Sequence, residues 1–243
     1  MRVTQLAAGL DHLGLLIGTQ GVDVEEALGI PLWTLYLATA VNALSGAAYA
    51  ARRGFDFVGV LGMGVIQGIG GLMLMSILLQ LGAPFVLTDP LFIVVASASG
   101  LLAFFFAAAI TKALRFALIL DALAMGLFVS VGVGQSLAVQ INSMSAVFIG
   151  VVTATGGLVL RDILAGNAPT ILRPGVLVGV VALAGSVLYV VLLRWFELPL
   201  ATTQFITIAF VATVRTLAVL LDWRTSEATD LSARMTRYWE GRR

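Results

Sequence analysis

The chain has 243 residues, 60% hydrophobic and 11% charged, with a mean hydropathy of +1.04. Soluble domains are roughly 45 to 50% apolar and about 25% charged, so this balance argues against a water-soluble fold. A net charge of +1 gives no basis for a nucleic-acid partner, and the absence of cysteine removes disulfides, thiolate metal sites and cysteine nucleophiles. The single histidine, His12, cannot build a multi-histidine metal site, and no cofactor is implied.

Residues 1–31 place Val3, Leu6, Leu10, Leu13 and Ile17 at alternating spacings of three and four, which predicts an external amphipathic helix. Asp11 and His12 interrupt the apolar stretch after Arg2, so a cleavable signal is not expected and the first spans serve as the insertion signal. Apolar runs of spanning length follow at about 32–51, 57–81, 90–110, 116–139, 144–166, 174–193 and 201–221, which predicts seven transmembrane helices. The expected fold class is therefore an all-α integral membrane protein. The tail from Asp222 spaces Ala228, Leu231, Met235 and Tyr238 as a short cytoplasmic helix.

Seven spans put the termini on opposite sides. The side holding the C-terminus then carries Arg52, Arg53, Lys112, Arg115, Arg161, Arg173, Arg224, Arg234, Arg237, Arg242 and Arg243. The other side has only Arg2 and Arg194. By the positive-inside rule the C-terminus is cytoplasmic and the N-terminus external, as expected of a multi-pass protein of the cell (inner) membrane.

Spans one to three and four to six match in order: Asn42-Ala-Leu with Asp121-Ala-Leu, Gly70-Gly71 with Gly156-Gly157, Ala83-Pro84 with Ala168-Pro169, Pro90 with Pro174 and Gly100 with Gly185. A three-span unit is odd, so its second copy inserts upside down and the two units form an inverted repeat. The expected organisation is an N-terminal segment at 1–31, repeats at 32–113 and 114–195, a seventh helix at 196–221 and a tail at 222–243. Paired glycines in the middle helix of each unit predict a bend whose freed carbonyls and amides face protein or a wet cavity. Close helix packing is the competing reading, favoured for the Gly64 and Gly68 pair.

Asp121 lies about six residues into the fourth span and Arg215 about seven before the end of the seventh, so both sit roughly 9 to 10 Å deep on the inner side. A charge there costs about 2.5 to 3.5 kcal/mol on insertion scales, which directs these groups toward protein or water. Pairing, a pore role for Asp121 with Arg215 setting the field, and snorkelling of Arg215 all remain open. Asn42, the expected repeat partner of Asp121, serves pore or packing equally well. Arg161 and Asp162 are adjacent on a helix, where neighbours do not face each other, so each is expected to pair elsewhere.

The segment Thr155-Gly-Gly-Leu-Val-Leu-Arg161-Asp162-Ile-Leu-Ala-Gly-Asn-Ala-Pro169, with Asn42-Ala-Leu-Ser-Gly46 and the Arg53-Gly-Phe-Asp56-Phe-Val-Gly59 turn, resembles the trimeric intracellular cation (TRIC) channel family. Its bacterial relatives are also described as glycine-transporter-like membrane proteins. The resemblance, over about 35–221, implies a homotrimer in membrane lipid with one potassium-permeable path per protomer. That path runs where the second and fifth helices break, which points to Gly70, Gly71, Gly156 and Gly157. Two departures stand out. The fifth helix has Thr155-Gly-Gly in place of three glycines, and the second has Met75-Ser76 where Arg-Asp falls in the family.

Enzyme readings fail on chemistry. Ser97-Ala-Ser99-Gly100 has no membrane-embedded histidine base, and the glycines at 62–71 miss the G-x-G-x-x-G spacing. Two transport readings remain: a monovalent cation channel, and a carrier for glycine or another small zwitterion.

Overall fold

The computed structural model describes residues 31–80, 82–112, 114–174 and 177–223, with backbone alone at 107–112 and 114–118. The expected amphipathic segment and cytoplasmic tail lie outside the described residues, apart from Pro31, Asp222 and Trp223. Seven long helices run through the described chain: α1 (Leu32–Arg52), α2 (Phe57–Leu78), α3 (Pro90–Lys112), α4 (Leu114–Ala138), α5 (Ser143–Leu164), α6 (Val178–Arg194) and α7 (Leu200–Leu220). A four-residue helical turn at Phe85–Thr88 precedes α3, and a 3-10 turn at Thr170–Leu172 follows α5.

The boundaries follow from local chemistry. Pro31, Pro84, Pro169 and Pro199 stand immediately before helical segments with φ between −57° and −52°. Proline's fixed φ suits a helix start, where its missing N–H is no loss. Asp56 and Asn142 cap α2 and α5, their Oδ1 atoms accepting from the Gly59 and Ser145 amides at 2.8 and 2.9 Å. Left-handed residues close the other ends, Gln80 after α2 and Gly166 after α5.

Among the described residues, four stretches are long and apolar enough to cross a membrane: α2, Ile119–Ala138 within α4, α5 and α7; Pro90–Phe106 and Val178–Arg194 are shorter apolar helices. Met144, Phe148, Phe105 and Phe205 are exposed on these helices. Such an apolar exterior is compatible with lipid and incompatible with water. The core lies between helices: Leu35, Leu72, Met75, Phe92 and Phe128 fill one region, and Val129, Val133, Val181, Tyr189 and Val211 another.

α2 packs on α1, α3 and α5, while α5 packs on α4, α6 and α2. Tyr49, in the last turn of α1, meets Asn167, just beyond α5. The C-terminal end of α5 therefore lies beside the turn that opens α2, and these two helices run in opposite directions.

α2 and α5 each run as one continuous helix through Gly70-Gly71 and Gly156-Gly157, so neither pair interrupts its helix. Inside α3, Phe106 has a non-helical backbone, at φ −122° and ψ 19°. The physical reason for the continuity of α2 and α5 is packing: each glycine is pressed against the opposing helix, where absence of a side chain is the requirement, and that contact offsets glycine's weak helix propensity.

Candidate functional site

α2 and α5 cross at the paired glycines. A Cβ on Gly71 would lie 2.0 Å from the Thr153 carbonyl oxygen, and one on Gly157 would lie 2.3 Å from that of Gln67. A Cβ on Gly70 would meet Leu160 at 2.9 Å, and one on Gly156 would meet Leu74 at 2.7 Å. These contacts are reciprocal. Adding 86 to Gln67, Gly70, Gly71 and Leu74 gives Thr153, Gly156, Gly157 and Leu160, so every contact is matched by its counterpart.

The same displacement relates the caps Asp56 and Asn142, the left-handed residues Gly54 and Gln140, and the helices α2 and α5, both of 22 residues. It extends to α1 and α4, where Gly46 packs on Gln67 and Gly132 on Thr153. By that register Asp121 corresponds to Leu35 and Asn42 to Phe128, so the Asn42–Asp121 match of the sequence does not hold. The error is seven residues, two helical turns, which preserves the helix face and hides the slip. Gly100 likewise corresponds to Ser186, which packs on Gly150 as Gly100 packs on Gly64.

On one side of the crossing lies a buried polar cluster. Arg161, 7% exposed, donates from Nη1 to Gln67 Oε1 at 3.1 Å, and from Nε and Nη2 to Asp162 Oδ1 at 3.0 and 2.5 Å. Its guanidinium carbon stands 4.0 Å from the centre of the Tyr49 ring, within cation–π range. Asp162, 1% exposed, accepts at Oδ2 from the Thr170 amide and hydroxyl, both at 2.7 Å. Asn167 donates to the Tyr49 hydroxyl at 3.0 Å.

The expectation that Arg161 and Asp162 pair only elsewhere is thus corrected. The long arginine side chain folds back to reach its neighbour, because a buried carboxylate and guanidinium both gain more from contact than helix geometry costs them. Each also has the more distant partners expected of it.

Asp121 on α4 and Arg215 on α7 do meet, Oδ2 to Nη2 at 3.7 Å, with side chains 32% and 13% exposed. This is an ion pair too long for a hydrogen bond. Arg215 does not snorkel to the surface. Its Nε and Nη1 are buried without a hydrogen-bond partner, as are the hydroxyls of Ser130 on α4 and Thr207 on α7. Asn42 is half-buried on α1, away from this pair in register.

Tyr49, Asn167 and Thr170 escaped the sequence reading. Asn167 lay inside the motif segment, while Tyr49 carried no signal beyond its place in an alanine-rich turn. At the opposite end, the Tyr36 hydroxyl donates to Asp89 Oδ2, and Asp89 Oδ1 caps α3 at the Leu91 amide.

A helical bundle with an apolar exterior, a glycine-on-backbone crossing and buried charges beside it is the architecture of a multi-pass membrane protein. The sequence matches the family described as Glycine transporter over residues 32–108 and 118–194, and the chain belongs to that family. The inner membrane protein YadS of Escherichia coli K12, of the UPF0126 group, is 29% identical over 188 residues, 77% of this chain and 90% of its own. A UPF0126 membrane protein of Vibrio cholerae is 32% identical over 157 residues, 63% of this chain and 65% of its own. Among solved structures, one described under conductance through TRIC cation channels aligns with a TM-score of 0.77 at 28% identity, covering 81% of this chain and 96% of its own. The TRIC trimeric intracellular cation channel orthologue from Rhodobacter sphaeroides aligns with a TM-score of 0.69 at 28% identity, over 78% and 97%.

Proposed function

We propose that the chain is a monovalent, potassium-permeable cation channel that works as a homotrimer with one path inside each protomer. The observation that carries this reading is the likeness to the TRIC cation channel structure, which extends over nearly all of that chain at 28% identity. We infer that seven helices span the membrane and that α1–α3 and α4–α6 are inverted repeats, with the N-terminus outside and the C-terminus inside. The reciprocal contacts at the α2–α5 crossing and the opposite directions of those helices support that inference.

The path follows the crossing. In this reading Gly70, Gly71, Gly156 and Gly157 set the approach of the two helices and hence the width of the passage, as packing positions rather than breaks. Asn42 and Asp121 contribute polar groups to the wall. Arg161, Asp162 and Arg215 act on the inner half, where they set the field that an entering cation meets.

A carrier for glycine or another small zwitterion is the second reading, favoured by the description of the family to which the chain belongs. The test is reconstitution into planar bilayers under a potassium gradient, with labelled glycine uptake into liposomes in parallel. Unitary potassium currents establish the channel. Saturable uptake without such currents establishes the carrier.

A further inference from the structure

Arg161 does not merely sit near the proposed path. Its guanidinium fills a site made of cation ligands: the Gln67 amide oxygen, the Asp162 carboxylate and the face of Tyr49. Gln67 and Asp162 are 4% and 1% exposed, so the site is built into the protein interior rather than borrowed from its surface. The Tyr49 ring takes a second cation as well, Arg53 at 4.7 Å from its centre. We propose that this cradle is a binding site for a permeating monovalent cation and that Arg161 is its tethered occupant, holding the site closed until the side chain swings away.

The 86-residue correspondence supplies the independent argument. On the far side of the crossing the equivalents of Gln67, Arg161, Asp162 and Tyr49 are Thr153, Met75, Ser76 and Gln135. Two half-sites of matching backbone geometry therefore flank the crossing, and one has neutral oxygen groups and no cation of its own. The other has a full negative charge and an arginine that neutralises it. The aromatic face and the amide oxygen converge with the carboxylate on one point, the guanidinium. Those are ligands a potassium ion or an organic cation also accepts. Asp162 keeps two donors from Thr170 when the arginine leaves, so the carboxylate stays anchored and available.

The proposal rests on the channel reading for its role in conduction but not for the existence of the site. The test variant is Arg161→Met, which installs the residue type found at the equivalent position and keeps a similar volume. In planar bilayers its unitary potassium conductance is expected to exceed that of the unchanged protein by about tenfold, the effect of removing a nearby buried positive charge. Guanidinium at low millimolar concentration should then block Arg161→Met reversibly from the inner side and leave the unchanged protein unaffected. In a parallel thermal-unfolding assay, guanidinium at those concentrations should raise the Tm of Arg161→Met and not of the unchanged protein.

The melting result separates the two claims. If neither the unchanged protein nor Arg161→Met shows current, the channel reading fails, while stabilisation of Arg161→Met by guanidinium still establishes the cradle. A folded Arg161→Met that guanidinium neither blocks nor stabilises overturns the proposal. Should Arg161→Met fail to fold, Gln67→Thr removes one ligand and leaves the ion pair. It is then expected to raise conductance about threefold by loosening the arginine, and unchanged conductance in Gln67→Thr would also overturn the proposal.

Discussion

The backbone carbonyl of Gln67 occupies the place that a side chain on Gly157 would need, with an ideal Cβ only 2.3 Å from the oxygen. Gly71 stands in the same relation to Thr153, at 2.0 Å. Helix α2 and helix α5 therefore touch main chain to main chain, and any methyl group there pushes them apart.

Gly157→Ala and Gly71→Ala are each expected to destabilise the protein by about 1 to 3 kcal/mol through overpacking. Gly62→Ala is the matched control on the same helix as Gly71, since nothing lies within 4 Å of its added Cβ. It should be neutral or stabilising by about 0.5 to 1 kcal/mol, because alanine is the better helix former. Thermal unfolding in detergent separates the two outcomes.

The Arg161–Asp162 pair predicts an asymmetry. Asp162→Asn leaves a buried guanidinium without its counter-charge and should cost about 3 to 5 kcal/mol. Arg161→Met should cost less, because Asp162 retains the Thr170 amide and hydroxyl as partners. Equal losses in the melting temperatures of the two variants would show that Thr170 does not support the carboxylate.

Arg215 is a buried cation with two donor nitrogens unmet and a carboxylate 3.7 Å away. Removing one member of an ion pair strands the other, a penalty that falls as the remaining group is exposed to solvent. Arg215→Met should therefore cost about 1 kcal/mol, because the Asp121 carboxylate it strands is 32% exposed. Asp121→Asn alone should cost about 1 to 2 kcal/mol, a reduced figure because Asp121 is 32% exposed. A double-mutant cycle read by unfolding checks both signs.

The inferred inversion makes a topological prediction. Arg53 and Val139 are equivalent positions, each just before the left-handed residue that precedes α2 or α5. The natural chain has no cysteine, so single cysteines report cleanly. In intact cells Val139→Cys should react with a membrane-impermeant maleimide, and Arg53→Cys should react only after the membrane is opened. Labelling of both from one side would contradict the inversion.

Much of this fold was legible because helix starts and apolar length carry strong local signals. The apolar runs at 32–51 and 144–166 fold as the helices Leu32–Arg52 and Ser143–Leu164, with Pro31 and Asn142 marking the starts. The pairing of Asp121 with Arg215 was foreseeable from depth alone. What the glycines do was not. A Gly-Gly pair weakens an isolated helix, but only the opposing carbonyls of Gln67 and Thr153 reveal that both helices stay intact and use the pair for contact.

The repeat register misled for a related reason. Asn42-Ala-Leu and Asp121-Ala-Leu share residues and helix face, and a shift of two turns changes neither. Three-dimensional contacts at Gly46 and Gly132 were needed to fix it. Tyr49 was invisible because a cation–π partner has no sequence spacing to announce it. The fold-back of Arg161 onto Asp162 depends on side-chain length and burial rather than on helical periodicity.

The central claim is that this bundle conducts monovalent cations through each protomer. Its most direct test is single-channel recording of the purified, reconstituted full chain under a potassium chloride gradient. Unitary currents whose reversal potential follows the potassium gradient are the predicted result. A silent bilayer, with saturable glycine uptake into liposomes from the same preparation, would contradict it.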